Sequence, residues 1–477
     1  MNTDAKERTV YLVAVAVVYA ILLAVSINWP YFWDNVLQVG GEGTWIYNHG
    51  FGSLITRDAS GMAGTGYHVP GVAYVTALAW AVFGRSLWVS HVLTALWAAG
   101  LAWAVWRLCV RMVPAGWRAA VGLAVMLEPA VLTLMATVSP DFWMLAAFAL
   151  ALAALAEGKY WQAGLWLLAM GLCNMRGVMA AACLGIAALL CLLMRKELTW
   201  RRVVALAAPS VVVLGAYYVT YLAEYGWFMN GSNFSEHYEV PSSAAFIARH
   251  VASLGLRVLE QGRLVVWALA LCVAGVAAWR VRTMGLLKEY GAWATALLFA
   301  VLQGGLYLLF CFISQMPFGG RYFSMMHLAL TLCVLAVLTS VASRRTSILC
   351  LALVFVAELT GHAWEAFYPD RMSKPWDTTL AHATFYDLRH DVEADIAQMG
   401  IAPSDITTGF ALGGSGSLIF LDDAHPGFLG DADAPYYLHS NVNNDEDEIL
   451  DHIEAHGQPI KTWRSGIVYI TLYKMNP

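Results

Sequence analysis

The chain is a succession of apolar runs separated by short polar turns, and that pattern restricts the fold more than any motif does. A helix that crosses a bilayer needs roughly 20 apolar residues. Such runs occupy about 10–27, 87–106, 119–137, 142–156, 160–174, 178–194, 203–222, 264–279, 291–313, 322–340 and 346–366. Of the 477 residues, 59% are hydrophobic and only 13% charged, more apolar surface than a water-soluble fold can bury. The sequence is therefore read as a polytopic α-helical membrane protein of about 11 spans with interfacial helices. Lys6 and Arg8 precede the first run as in a signal peptide, but no clear small-residue cleavage site follows, so a retained helix is expected.

Charge is segregated along the chain. From Phe367 onward there are 17 acids and 6 bases, against 16 acids and 22 bases before it. Residues 1–366 are thus expected to form the membrane domain and 367–477 a soluble, acidic one. In the latter, Leu388, Val392, Ile396 and Met399 recur at helical spacing. "EDEILDHIEAHG" reads as a second helix, and "SLIFL" and "GIVYITLY" as strands, which makes the domain α/β. No internal repeat, basic stripe or zinc-finger spacing is present, so nucleic acid is excluded as a partner. All eight cysteines lie in or beside apolar runs and none in the acidic tail, which argues against a disulfide framework or a cysteine metal site.

One segment decides the topology. "HVPGVAYVTALAWAVFG" (68–84) would reach only about 25 Å as a helix, short of the ~30 Å hydrocarbon core. If it lies on the surface, 15 Lys and Arg of the membrane domain fall on the cytoplasmic side and 7 outside; if it crosses, the split is 8 and 14. The positive-inside rule selects the surface placement. The N-terminus is then inside, and the C-terminal domain and the long first loop (28–86) are outside. The expected location is the cytoplasmic membrane.

Five ionisable residues then share the outer face, each at the end of an apolar segment: Asp34, His68, Asp141, Arg176 and Arg321. Terminal arginines often only snorkel to lipid headgroups. Arg176 and Arg321, however, oppose the positive-inside trend and lie beside Gly177 and Gly320, which permit close approach of a ligand. Guanidinium groups suit bidentate phosphate contact. A carboxylate beside them suits removal of a proton from an attacking hydroxyl, while the cations neutralise a departing phosphate. A sugar carried on a polyprenyl phosphate presents its reacting carbon at this depth. No cofactor is required for such a transfer, and a divalent metal is left open.

The order of these features resembles the membrane-embedded glycosyltransferases of the GT-C fold, in the branch of the protein O-mannosyltransferases and the lipid A aminoarabinose transferase. The resemblance covers about residues 10–340. Asp34-Asn35 matches the family's acidic motif in the first outer loop, with Asn35 where a second acid is usual. His68-Val69-Pro70 and Phe83-Gly84 match the start and end of its interfacial helix. Ser139-Pro140-Asp141 corresponds to an Asp-x-Pro-like signal in a different order. Met175-Arg176-Gly177 replaces a Thr-Lys-Gly turn, and Arg321-Tyr322 matches an Arg-Tyr pair. The resemblance implies an inverting transferase with Asp34 as base, Asp141 as a weaker candidate positioning the acceptor, and His68, Arg176 and Arg321 on the lipid phosphate. Its partners would be a polyprenyl-phosphate-linked sugar, membrane lipid, and a glycan, lipid or protein acceptor. The absence of a Trp-Trp-Asp motif disfavours an oligosaccharyltransferase.

Other features have plainer readings. Glu128, before Pro129, is either a proton-handling group or a hydrogen-bonded glutamate at a kink. Glu358 and His362 bind a metal or cap a helix. "DDAHPGFLGDADAP" and "NVNNDEDEILDH" are acidic, but the second lacks the central glycine and final glutamate of an EF-hand loop. "LGGSGS" fits neither a phosphate loop nor a nucleophile elbow. Trp33, Trp45 and Tyr67 can stack on sugar. "YEVPSSAAFIARHVASLGLRVL" (238–259) reads as a second amphipathic surface segment. The rivals are a secondary transporter or flippase-like protein of envelope lipids, which would place charges at the midplane with inverted repeats, and a non-catalytic scaffold.

Overall fold

The computed structural model describes residues 3–476 apart from 54, 58–67, 227–238, 242, 281–290, 370 and 431–432. Each predicted apolar run is helical: α1 (Thr3–Ser26), α4 (Leu87–Met112), α5 (Arg118–Met126) with α6 (Pro129–Ala136), α7 (Pro140–Ala156), α8 (Tyr160–Cys173), α9 (Met175–Met194), α10 (Trp200–Tyr225), α12 (Arg263–Arg280), α13 (Gly291–Ile313), α14 (Ser324–Val341) and α15 (Arg344–Gly361). Among the described residues, six helices are long and apolar enough to cross a membrane, or seven if α5 and α6 count as one span. Those two meet at 55°, so the run predicted as a single span at 119–137 is broken. Pro129 cannot continue the hydrogen-bond ladder of α5, and it starts a new helix capped by the Glu128 carboxylate, which accepts from the Val131 N–H at 3.0 Å.

α7 is apolar all round and buried from Pro140 through Ala154, packed between α4, α8 and α13. The long first loop carries α2 (Glu42–His49) and α3 (Gly71–Phe83). At ~1.5 Å per residue α3 is too short to span. It buries Val72, Ala73, Thr76, Ala77 and Trp80, while Val75, Leu78, Val82 and Phe83 stay exposed. The second amphipathic segment contains α11 (Ala244–Leu259), started by Ser243, whose Oγ accepts from the Phe246 N–H at 3.1 Å.

The acidic C-terminal part holds α16 (Thr384–Gln398), α17 (Gly416–Ile419), α18 (Asp447–His456) and a four-stranded sheet of β1 (Ile406–Thr408), β2 (Tyr436–Ser440), β3 (Gly457–Ser465) and β4 (Val468–Met475). The strand order is β1-β2-β4-β3, with β1–β2 parallel and the other pairs antiparallel. "SLIFL" is not a strand: it enters the helical turn α17, where the Ser415 hydroxyl accepts from the Ser417 N–H at 3.3 Å. A short apolar run carries no periodicity that separates a strand from a buried helical turn, and the preceding serine cap decided it.

This unit sits on the first loop of the membrane domain. Phe32 is buried in its apolar cluster with Trp376, Phe385 and Val442. The Tyr31 N–H donates to the Ile419 carbonyl at 3.0 Å, and Arg85 bonds Asp423 and Ser417. Gly40, in the π-helical turn Val36–Gly41, meets the Leu418 carbonyl so closely that no side chain fits there.

Candidate active site

Two strained turns build the site. Trp33 has φ +50° immediately before Asp34, and Val138 has φ +56° at the turn that leads into Ser139-Pro140-Asp141. A β-branched residue rarely occupies the left-handed region, and such outliers concentrate where structure is held for function. Each turn is tied down. The Trp33 indole stacks on Phe32 at 5.3 Å and donates to the Val442 carbonyl at 3.1 Å. Asn35 Nδ2 donates to the Thr137 carbonyl at 3.0 Å. The two turns are thereby joined to each other, and an acid at position 35 could not make that bond while ionised.

One guanidinium, Arg321, gathers the result. It lies in the 3₁₀ turn Gly320–Phe323 before α14 and pairs with three carboxylates: Asp34 through Nη2, Asp377 through Nη1, and Asp141 through Nε at 3.0 Å. Arg176 binds Asp141 through Nη2 at 2.9 and 3.1 Å and lies 4.1 Å over the Tyr322 ring. The turn before α9 serves the same acid: Asn174 Nδ2 donates to Asp141 at 3.1 Å, while its Oδ1 accepts from the Gly177 N–H at 2.9 Å. Gly177 packs against the Met170 carbonyl too closely for a Cβ. Asp141 also lies in the first turn of α7, where the helix dipole favours a negative charge.

The structure thus brings Asp34, Asp141, Arg176 and Arg321 to the end of the bundle where α7, α9 and α14 begin, and sets His68 beside them. His68 Nδ1 accepts from the Met175 N–H at 3.2 Å. Burial, with Arg176 second, pushes its imidazole down to about 3. It is therefore a neutral ring with its proton on Nε2, a hydrogen-bond donor and not the cation that a phosphate-binding role would first suggest.

Asp377, in the C-terminal part, was not singled out from sequence. Its one local signal is an echo: Trp376-Asp377 repeats the Trp33-Asp34 dipeptide, and the Trp376 indole donates to the Asn441 carbonyl at 2.9 Å, next to the carbonyl that Trp33 uses. Burial, with Asp34 and Asp141 nearby, pushes the Asp377 carboxyl above the ordinary range against the pull of Arg321. Three carboxylates face two guanidinium groups. The Asp34 side chain is 35% exposed, against 2% for Asp141 and 6% for Asp377. The buried Nε–H of Arg176 has no acceptor among the described residues.

The remaining candidates fall elsewhere. Glu128 caps α6 and pairs with Arg263 at 2.8 Å, which is the structural reading at a kink. The Leu380 N–H donates to His362 Nδ1 at 3.1 Å, and Glu358 is buried. Trp45 stacks on His49 at 4.7 Å, and Tyr67 lies outside the described residues. Among the described residues, no group of three or more His, Cys, Asp or Glu side chains is arranged to hold a metal ion.

The fold is that of a GT-C membrane protein, with its charged cluster between bundle and soluble domain. Among solved structures, the chain is similar to ArnT from Cupriavidus metallidurans bound to undecaprenyl phosphate, with a TM-score of 0.59 and 14% identity over 97% of this chain and 98% of that one. It is also similar to the same protein in the apo state, with a TM-score of 0.56 and 13% identity over 98% of each chain. An oligosaccharyltransferase from Archaeoglobus fulgidus, AglB, solved with an inhibitory peptide and a dolichol-phosphate, aligns with a TM-score of 0.40 and 11% identity over 78% of this chain and 59% of its own. No family model and no curated protein sequence matches the chain.

Proposed function

We propose that this protein is an inverting glycosyltransferase of the cytoplasmic membrane, moving one sugar from a polyprenyl-phosphate donor to an acceptor hydroxyl on the outer face. The observation that carries the reading is the convergence of Asp34, Asp141 and Asp377 on Arg321, with Arg176 against the same acid. The overall likeness to ArnT, crystallised with a lipid phosphate, adds the ligand class. The charges gather at one end of the bundle, which suits this role better than transport through a midplane site.

Asp34, the most exposed of the three acids, takes the proton of the acceptor hydroxyl. The hydroxyl oxygen forms a bond to the anomeric carbon from the face opposite the phosphate. The bond from that carbon to the phosphate oxygen breaks, and its electrons remain on the departing polyprenyl monophosphate. Arg321 and the open Nε–H of Arg176 neutralise the charge growing there, and the Nε2–H of His68 is a further donor. Three acids pair with Arg321, so a donor phosphate that reaches it must displace a carboxylate, and Asp34, the most exposed, is the one with room to move. Asp141 stays with Arg176 and Asn174 and holds both turns in place.

The test is mass spectrometry of envelope glycans and glycolipids from cells with the intact protein and with Asp34→Asn. The expected result is loss of a single sugar from one glycan class with the variant still folded in the membrane. Unchanged profiles would refute the assignment. Labelling of a C-terminal tag by an impermeant reagent in intact cells checks the orientation, and a tag reached only after lysis would overturn it.

A further inference from the structure

The soluble domain holds a cavity that the transfer chemistry does not use. It has a volume of about 460 Å³, within the ~300–1,000 Å³ typical of ligand sites. Its lining follows from strand alternation. Along β4, Val468, Ile470 and Leu472 are buried in the domain core, so Tyr469 and Tyr473 stand on the opposite face, each partly exposed, with the Arg464 guanidinium 5.4 Å from the Tyr469 ring centre. His439 on β2 lies opposite Thr471 in the register and joins this aromatic face. The wall across from it is the loop 441–447 and the start of α18, with side chains of Asn444, Asp445, Glu446 and Asp447.

The charge of this cavity selects its ligand. Asp445, Glu446, Asp447 and Glu454 line it, against one cation, Arg371. That guanidinium is already bound by Asp451 at 2.7 Å and Glu454 at 2.8 Å. An anionic ligand meets repulsion, whereas hydroxyl or ammonium donors meet carboxylate and amide oxygens. Tyrosine rings next to such acceptors suit a molecule with apolar faces and a polar rim. That is a carbohydrate ring.

The same loop reaches the active site. The carbonyls of Asn441 and Val442 accept from Trp376 and Trp33, the residues that precede Asp377 and Asp34. Asn444 exchanges two hydrogen bonds with the Lys374 backbone, at 2.9 and 3.0 Å. One segment therefore lines the cavity and supports both acids.

We propose that this cavity is a binding site for a neutral or amino-bearing glycan, and that it holds the saccharide portion of the acceptor. Only the word acceptor rests on the transferase reading; glycan binding does not.

The test uses the purified full-length protein in detergent, without donor lipid, on an array of neutral, amino-sugar and uronic-acid oligosaccharides. Retention of neutral or amino glycans and exclusion of uronic acids is expected. Replacing both rings together, Tyr469→Ala with Tyr473→Ala, should weaken binding roughly ten-fold or more, while Tyr469→Phe with Tyr473→Phe keeps it. Glu446→Gln with Asp447→Asn, at exposed positions, should relax the discrimination against uronic acids even if the alanine pair fails to fold. Preference for uronic acids, no retained glycan, or unchanged binding in both the alanine and the charge variants would overturn the site. In a transfer assay the alanine pair should raise the acceptor KM with kcat unchanged. Glycan binding with no transfer of any kind would remove the enzymatic reading and leave the site standing, whereas transfer with an unchanged KM would remove the acceptor role.

Discussion

Two buried charge networks lie side by side where the bundle meets the soluble domain, and they are built differently. The first joins Asp34, Asp141 and Asp377 through Arg321 and Arg176. The second pairs Glu128 with Arg263 and Glu260 with Arg257, and closes with Tyr368 on Glu260 and Gln261 on Thr378. The first keeps an accessible carboxylate and an unmatched guanidinium N–H. In the second, all four charged partners are buried, and the groups left over are of both kinds: the Nε–H of Arg257 beside the acceptors Glu260 Oε1, Gln261 Oε1 and both oxygens of Glu365. Burial, opposed by only weaker neighbouring contacts, pushes the Glu365 carboxyl up to about 8, so a proton sits where a cation would otherwise be needed. Buried charge alone is therefore no guide to chemistry. An accessible carboxylate separates the site from the clamp.

The clamp serves the site. Arg263 Nη1 donates to the Gly320 carbonyl at 2.7 Å, next to Arg321, and Arg257 Nη2 donates to the Ser373 carbonyl at 2.8 Å, on the strap that leads to Asp377. Four variants break or sharpen the comparison. Asp34→Asn should lower transfer by about 10²–10⁴-fold while leaving the melting temperature close to wild type, because its side chain is 35% exposed; full activity would place the base elsewhere. Arg263→Met strands Glu128 and should cost about 3–5 kcal/mol of stability, read by thermal unfolding in detergent, with a much smaller loss of transfer per folded molecule. Asn35→Asp should cost about 1–3 kcal/mol, since the Thr137 carbonyl loses its donor and a fourth carboxylate joins the first network.

Glu365→Gln is expected to have the smallest effect on transfer and to show itself through the pH dependence of stability. The folded carboxyl titrates near 8 and the unfolded one near 4.5. The stability tied to the neutral form is thus complete below the unfolded value and is lost as pH rises through the folded one. The glutamine variant should gain a few degrees in melting temperature relative to wild type at pH 8.5 and little at pH 4.5; parallel curves would show that the acid is already ionised in the fold.

Much of this was legible in the sequence. Asp34, Asp141, Arg176 and Arg321 were legible as candidates because each ends an apolar run on the expected outer face, and the two arginines also oppose the positive-inside trend beside a glycine. Asp377 was hidden because it lies in an acidic domain where one more carboxylate carries no signal. His68 was found in place but its charge was not, because loss of the proton depends on burial by elements distant in the chain. "SLIFL" misled for the opposite reason, being too short for its periodicity to speak.

The sequence by itself determined the class of the molecule: apolar run lengths and the bias of arginine and lysine are local sums, and the bilayer reads them segment by segment. The tertiary structure alone decided which charges meet. Arg321 and Asp34 are 287 positions apart, and no local pattern encodes a pairing over that span. It exists because helix packing and the docked domain bring three acids onto one buried guanidinium, and a charge taken out of water must find a partner.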